Sequence, residues 1–309
     1  MIQRMLPFAT LLSLFVVLSV VSPSFLTSTN LASVVRQTAV INIMALGMTM
    51  VIVAGGIDLS VGSILAFGGL MGTMALERGV AALPAVLVGV AGGAGWGFLN
   101  GFLTTRLKIS PFIVTLGTLG IVRGITLIIS DGLPVHNLPS SFSYLGEGTL
   151  AGVPFVLWLL LGSALAVHFI LEHTVLGRAA FAIGSNPEAA YYAGISLAFH
   201  TTAVYTLCGA LTGLAGMIEA SRLMTGQPTA GQGYELQAIA AVVIGGGSLR
   251  GGEGTVAGTL IGALIMGLLS NGSDLLGISP YLQQAIIGAV IILAVTVDEL
   301  RKRGTQLRA

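Results

Sequence analysis

The chain has 309 residues, 54% of them hydrophobic and 8% charged, with a net charge of +1 and a mean hydropathy of +0.96. Soluble domains carry about 25% charged residues, so this composition excludes a water-soluble globule and indicates an integral membrane protein with little mass outside the bilayer. The near-neutral charge argues against a nucleic-acid partner, and the single cysteine, Cys208, leaves no disulfide or metal framework.

A helix needs about 20 apolar residues to cross a hydrocarbon core of roughly 30 Å. Runs that reach or approach this length fall at 6–26, 37–54, 60–76, 81–105, 112–130, 153–171, 199–221, 236–247, 255–271 and 280–297. The prediction is an all-α polytopic membrane protein of about ten segments, one transmembrane domain over 1–309, with the eighth segment too short to span alone. The N-terminal "MIQRMLPFATLLSLFVVLSVVSPSF" has the arginine and apolar core of a signal peptide but no clean small-x-small cleavage site, and reads as a retained first helix. With the start of the chain in the cytoplasm, Arg4, Arg106, Lys108, Arg178, Arg301, Lys302, Arg303 and Arg308 fall on the cytoplasmic side, 8 of the 13 basic residues. Arg36, Arg78 and Arg222 fall outside. That asymmetry predicts both termini in the cytoplasm.

Glycine is abundant, 44 residues. Small residues allow close helix approach in lipid and permit unwound segments. The second and third segments meet in "VIVAGGIDLSVGSILAFGG" (51–69), where Gly55-Gly56, Asp58 and Ser60 interrupt the apolar run. A carboxylate near the bilayer centre costs roughly 2.5–3.5 kcal/mol on insertion scales. A second break, Gly245, Gly246 and Gly247, precedes "TVAGTLIGALIMG" (255–267), which echoes "SVGSILAFGGLMG" (60–72). Similar breaks in two halves of a chain point to the central pathway of a transporter. Asp58 has two open roles: lining that pathway or its gate, or capping the helix that starts at Leu59.

The loop "EHTVLGRAAFAIGSNPEAAYYAGIS" (172–196) predicts a helix of about two turns. Asn186 suits its N-cap, Pro187 its first position, Glu188 its positive end and Gly194 its stop. Such a helix either enters a partner's groove or lies on the bilayer surface. Arg123, embedded in the fifth segment, is expected to pair with an acid or a carbonyl, and Glu235 to lie at the outer end of a span. No P-loop, metal-ligand spacing or G-x-S-x-G elbow is present, so the residues give an enzyme reading no support and predict no cofactor and no metal.

"EAAYYAG" (188–194) has the E-A-A-x-x-x-G form of the loop by which ABC importer permeases dock on their ATPase. "GGIDLSVGS" (55–63), "LGRAAFAIGSNPEAA" (176–190) and "QPTAGQGYELQAIAAVVIGGGSLRGGEGTVAGTLIGALI" (227–265) resemble the ribose-type sugar permeases, and the resemblance runs from "VVRQTAVINIMALGMTMVI" (34–52) to "LAVTVDEL" (293–300). Gln237 and the pair Arg250 and Glu253 depart from the family pattern.

The resemblance implies the permease subunit of an ATP-binding-cassette importer in a bacterial inner membrane, carrying a monosaccharide such as ribose by alternating access. Its implied partners are a second copy of the permease, a separate ATPase subunit and a periplasmic or lipid-tethered sugar-binding protein. Asn186, Pro187, Glu188, Ala189, Ala190 and Gly194, in a coupling loop of about 172–198, would dock the ATPase. Asn42, Glu219 and Gln237 are further pathway candidates; they, like Asn100, Thr115 and Thr118, could instead bridge helices. The alternative is an ion-coupled secondary transporter with Asp58 as carrier, which needs no docking helix.

Overall fold

The computed structural model describes residues 2–306, the side chains of 2–6, 294 and 297–306 excepted. Arg4, Arg301, Lys302, Arg303 and Arg308, which support part of the predicted orientation, lie outside the described side chains.

Each of the ten predicted segments is a helix. In chain order these begin with α1 (Ile2–Val21), α2 (Ser28–Val53), α3 (Val61–Glu77), α4 (Ala82–Arg106) and α5 (Pro111–Ile129). A loop follows that holds a 3-10 turn (Ser140–Ser143), α6 (Tyr144–Glu147) and a two-stranded hairpin, β1 (Thr149–Leu150) with β2 (Val153–Pro154), in the register Thr149↔Pro154. Then come α7 (Phe155–His173), α8 (Val175–Ser185), α9 (Pro187–Tyr192), α10 (Leu197–Leu223), α11 (Tyr234–Ile244), α12 (Val256–Leu275) and α13 (Pro280–Gln306). Among the described residues, six of them, α2, α4, α5, α7, α10 and α12, are individually long and apolar enough to cross a membrane. The protein is an all-α polytopic membrane protein.

α2 starts nine residues before the predicted apolar run. Thr27 caps it, its hydroxyl accepting from the Asn30 N–H at 3.3 Å, and Asn30 and Arg36 in the early turns had masked the helix from a hydropathy reading. From Thr38 to Val53 every residue of α2 is buried. It is apolar on nearly all faces, as an enclosed helix must be, and α7, α10, α11 and α12 pack around it.

α4 lies tightly on α10. Gly89, Gly93, Gly97 and Gly101 share one face of α4 at intervals of four. A Cβ at Gly93 would run into the Gly209 carbonyl, one at Gly97 into the Tyr205 carbonyl, and one at Gly101 would sit 2.6 Å from Thr202 Cα. Only backbone-to-backbone packing fits there, which is how membrane helices gain van der Waals contact without a hydrophobic drive between them.

The pairing is antiparallel, since Gly101 meets Thr202 while Gly89 meets Gly213. Arg106 at the end of α4 therefore lies at the α8–α9 end of the bundle. Arg222 closes the other end of α10, beside Gly146 of α6. Arg36 joins that second end through a 2.9 Å ion pair with Glu147.

Candidate functional site

Both glycine breaks are built alike. α2 stops at Ala54, where the Gly55 N–H bonds the Ile52 carbonyl and the Gly56 N–H the Val51 carbonyl, each at 2.9 Å. α11 stops at Gly245, where the Gly246 N–H bonds the Val243 carbonyl at 2.9 Å and the Gly247 N–H the Val242 carbonyl at 2.8 Å. These are paired Schellman closures, each with a left-handed glycine after the cap, Gly55 (φ +80) and Gly246 (φ +91). The next helices also correspond: Ser60 precedes Val61 of α3 as Thr255 precedes Val256 of α12. The sequence echo is thus matched by a structural one.

They diverge at the second helix start. The Thr255 hydroxyl accepts from the Gly258 N–H at 3.1 Å, an ordinary N-cap. Ser60 makes no such cap, because Asp58 has taken over. Asp58 Oδ1 accepts from the Ser60 N–H at 2.9 Å and from the Ser60 hydroxyl at 2.5 Å. Asn100 of α4 reaches across to donate to the Ser60 hydroxyl at 2.9 Å, with Asp58 Oδ2 3.4 Å away. Asp58, Ser60 and Asn100 are all fully buried. The carboxylate ties α4 to the turn that opens α3, which starts at Val61 rather than Leu59. Around it, the Thr115 and Tyr205 hydroxyls donate to the Ile57 carbonyl at 3.2 and 3.3 Å.

Asn100 lies six residues before the end of α4 and Thr115 four after the start of α5, roughly 9 and 6 Å along their axes. The first break therefore sits in the half of the bundle nearest α9, not at mid-depth.

There the two breaks meet. The Gly252 N–H donates to the Val53 carbonyl at 2.9 Å. A Cβ at Gly251 would lie 2.8 Å from Gly55 Cα and 2.7 Å from the Gly184 carbonyl. A Cβ at Gly184, near the end of α8, would run into the Val53 carbonyl and lie 2.6 Å from the Gly252 N. Two residues beyond Gly184, Asn186 caps α9, its Oδ1 accepting from the Ala189 N–H at 2.9 Å. Pro187 holds the first helical position, Ala190 is buried, and Glu188 and Ala189 face out with Tyr191 and Tyr192, 66% and 79% exposed. α9 closes as the breaks do, with Gly194 at φ +83.

The structure thus gathers Gly55, Gly56, Asp58 and Ser60 in one break, with Gly55 beside Gly251 of the 245–255 turn and Gly184 of α8. Other candidates stand apart. Asn42 is buried in α2, its amide donating to the Thr38 carbonyl at 2.9 Å and its Oδ1 without a partner. Glu219 lies towards the opposite end, bound by Arg222 at 3.0 Å and by the Tyr234 hydroxyl at 3.4 Å. It borders a cavity of about 10 Å³, room for one water and not for a sugar. Gln237 is half-buried and makes no side-chain hydrogen bond among the described residues.

Arg123 meets carbonyls, donating to Pro228 at 2.6 Å and Gly62 at 3.2 Å. Glu235 lies in the first turn of α11, the expected end of that span, but this end is drawn into the bundle: its Oε2 occupies the space a Cβ on Gly62 of α3 would take. The 224–233 segment dips inward from Gly226, which pairs with Val135 of the outer loop, to Gly231 beside Gly62, and so carries α11 down with it. Gly184 escaped the sequence reading, and Gly251 and Gly252, though part of the second glycine cluster, were not among its site candidates. "IGSNP", directly before the predicted short helix, was the available signal.

A family model described as "Branched-chain amino acid transport system / permease component" matches residues 30–295. The ribose import permease protein of Escherichia coli (strain K12) is 45% identical over 296 residues, covering 94% of this chain and 92% of that protein. The ribose import permease protein of Bacillus subtilis (strain 168) is 42% identical over 298 residues, covering 96% and 92%. The L-arabinose ABC transporter permease protein of Azospirillum brasilense is 36% identical over 291 residues, covering 94% and 86%. No solved structure matches the chain. The chain belongs to this family of transport permeases, and it is similar over nearly its whole length to the permeases of sugar import systems.

Proposed function

We propose that this chain is the membrane-spanning permease subunit of an ATP-binding-cassette importer for a monosaccharide such as ribose. It works as a homodimer with a separate ATPase and a binding protein that delivers the sugar. The end of the bundle that carries α9 faces the cytoplasm, in keeping with Arg106, Lys108 and Arg178 there and Arg36, Arg78 and Arg222 at the other end. A second copy would cover the outward face of α5, where Gly117, Gly120 and Gly124 have open space before them.

One observation carries this reading beyond resemblance. The exposed α9 is linked through Gly184 to backbone atoms of both breaks, so a partner that moves α9 moves the ends of α2 and α11 together. That supports alternating access driven from outside the chain. Pathway roles for Gly55, Gly56, Asp58, Ser60, Gly245, Gly246 and Gly247 follow as gate positions. Asn42, Glu219 and Gln237 remain proposed pathway residues. The buried, partnerless Oδ1 atoms of Asn42 and Asn100 are consistent with a second conformation, since an unmet buried acceptor costs about 1–3 kcal/mol.

An ion carrier built on Asp58 fits less well, because the carboxylate is fully buried and engaged by Ser60 and Asn100. Uptake of labelled ribose by vesicles containing this permease, with and without the ATPase, the binding protein and ATP, tests the proposal. Accumulation should require all three additions.

A further inference from the structure

A groove of about 590 Å³ runs along the outer surface between the end of α4 and the start of α10. Its long wall is aromatic and aliphatic: Phe98 and Phe102 from α4, Phe199 and Leu207 from α10. The three phenylalanines are 52%, 41% and 68% exposed. Apolar exposure alone is unremarked on a membrane helix, and any acyl chain would lie there. The α9 end of the groove differs.

Arg106, in the last turn of α4, lines it, yet makes no ion pair or hydrogen bond among the described residues. Ser196 faces it from the N-cap of α10, and its hydroxyl makes no capping bond. The N-terminal turn of this 27-residue helix therefore presents uncapped N–H groups beside an unpaired guanidinium. Both features favour an anion.

We propose that this groove holds an anionic glycerophospholipid, its phosphate group at Arg106 and the start of α10 and one acyl chain along Phe98, Phe102 and Phe199. The dimensions agree. Phe98 to Arg106 spans eight residues and Ser196 to Leu207 eleven, roughly 12 and 16 Å of helix, the length of most of an acyl chain beneath a headgroup. Charge favours this occupant over a second copy of the chain, which would bring its own Arg106 to the same face. The assignment of the groove to the inner leaflet rests on the orientation proposed above; the binding itself does not.

Native mass spectrometry of the detergent-purified permease, alone, reads the site directly. Phosphatidylglycerol and phosphatidylcholine with identical acyl chains are titrated in turn. The wild-type chain should hold one phosphatidylglycerol about fivefold more tightly than phosphatidylcholine, the effect of one basic residue at an anionic surface. Arg106→Gln should erase that preference, while Arg78→Gln, at the opposite end, should keep it. Ala203→Trp, which fills the groove wall, should lower the count of tightly bound lipids by one. Equal binding of the two lipids to the wild type, or a preference that survives Arg106→Gln, would overturn the proposal. Loss of the bound lipid when the ATPase is added would assign the groove to that subunit instead, and would likewise overturn it. Because no transport is measured, failure here leaves the importer reading intact.

Discussion

The Gly252 N–H donates to the Val53 carbonyl at 2.9 Å, joining the last turn of one broken helix to the loop that follows the other. The two residues are 199 positions apart in sequence. Gly184, from a third element, lies against both.

That junction predicts a specific defect. Gly184→Ala puts a methyl group against the Val53 carbonyl and 2.6 Å from the Gly252 N. Overpacking of this kind costs about 1–3 kcal/mol. The variant should insert and still bind the ATPase through α9, but sugar uptake should fall to a small fraction of wild type. Uptake normalised to membrane protein level checks this, and normal uptake would mean that α9 moves independently of the breaks.

Asp58 separates charge from hydrogen bonding. Asp58→Asn keeps an acceptor for the Ser60 N–H, so the variant should reach the membrane at near wild-type levels with reduced uptake. Asp58→Leu strands the Ser60 N–H and weakens the hold on Asn100 in a fully buried site. Each unmet group costs about 1–3 kcal/mol, so membrane levels should drop as well. Wild-type uptake by the Leu variant would show that the tie between α3 and α4 is dispensable.

The second break gives a contrast between adjacent glycines. The sequence marks Gly245, Gly246 and Gly247 alike, whereas the structure puts the close backbone approach at Gly245 and not at Gly246. A Cβ on Gly245 would run into the Gly258 carbonyl and lie 2.7 Å from the Thr259 N, while Gly246 has open space and φ +91. Gly245→Ala should therefore damage assembly and transport through a clash between α11 and α12. Gly246→Ala should cost only the left-handed strain of about 1–2 kcal/mol, and Gly246→Asn less. Thermal unfolding of the three variants in detergent orders them; equal midpoints would contradict the packing argument.

The number and order of the helices were legible because a membrane imposes one simple rule, an apolar run of sufficient length. The short helix at Pro187 was legible for a different reason: Asn186, Pro187 and Gly194 are local signals that need no tertiary context. The early turns of α2 were hidden because Arg36 finds its counter-charge in Glu147, far away in sequence. The inward position of the start of α11 was hidden because it goes with contacts between distant segments, such as Arg123 holding the Pro228 carbonyl. The meeting of the breaks with Gly184 rests on backbone atoms, which no side-chain pattern announces. The packing of α4 on α10 had a readable signal in Gly89, Gly93, Gly97 and Gly101, and their four-residue spacing marked the face.

In the proposed function, α9 seats a separate ATPase and passes its motion to the breaks. Gly194 ends α9 at φ +83 with open space around it, so conformation rather than crowding demands glycine there. Gly194→Val forces a β-branched residue into a left-handed turn at about 1–2 kcal/mol or more, whereas Gly194→Asn tolerates it. The decisive measurement is purification through a tag on this chain, followed by the amount of ATPase recovered and its sugar-stimulated hydrolysis. Full recovery and coupling are expected for the wild type, most of both for Gly194→Asn, and loss of recovery or of stimulation for Gly194→Val, with the permease still inserted. No ATPase recovered with the wild type, together with uptake that survives ATP depletion and collapses with an ionophore, would contradict the proposed function.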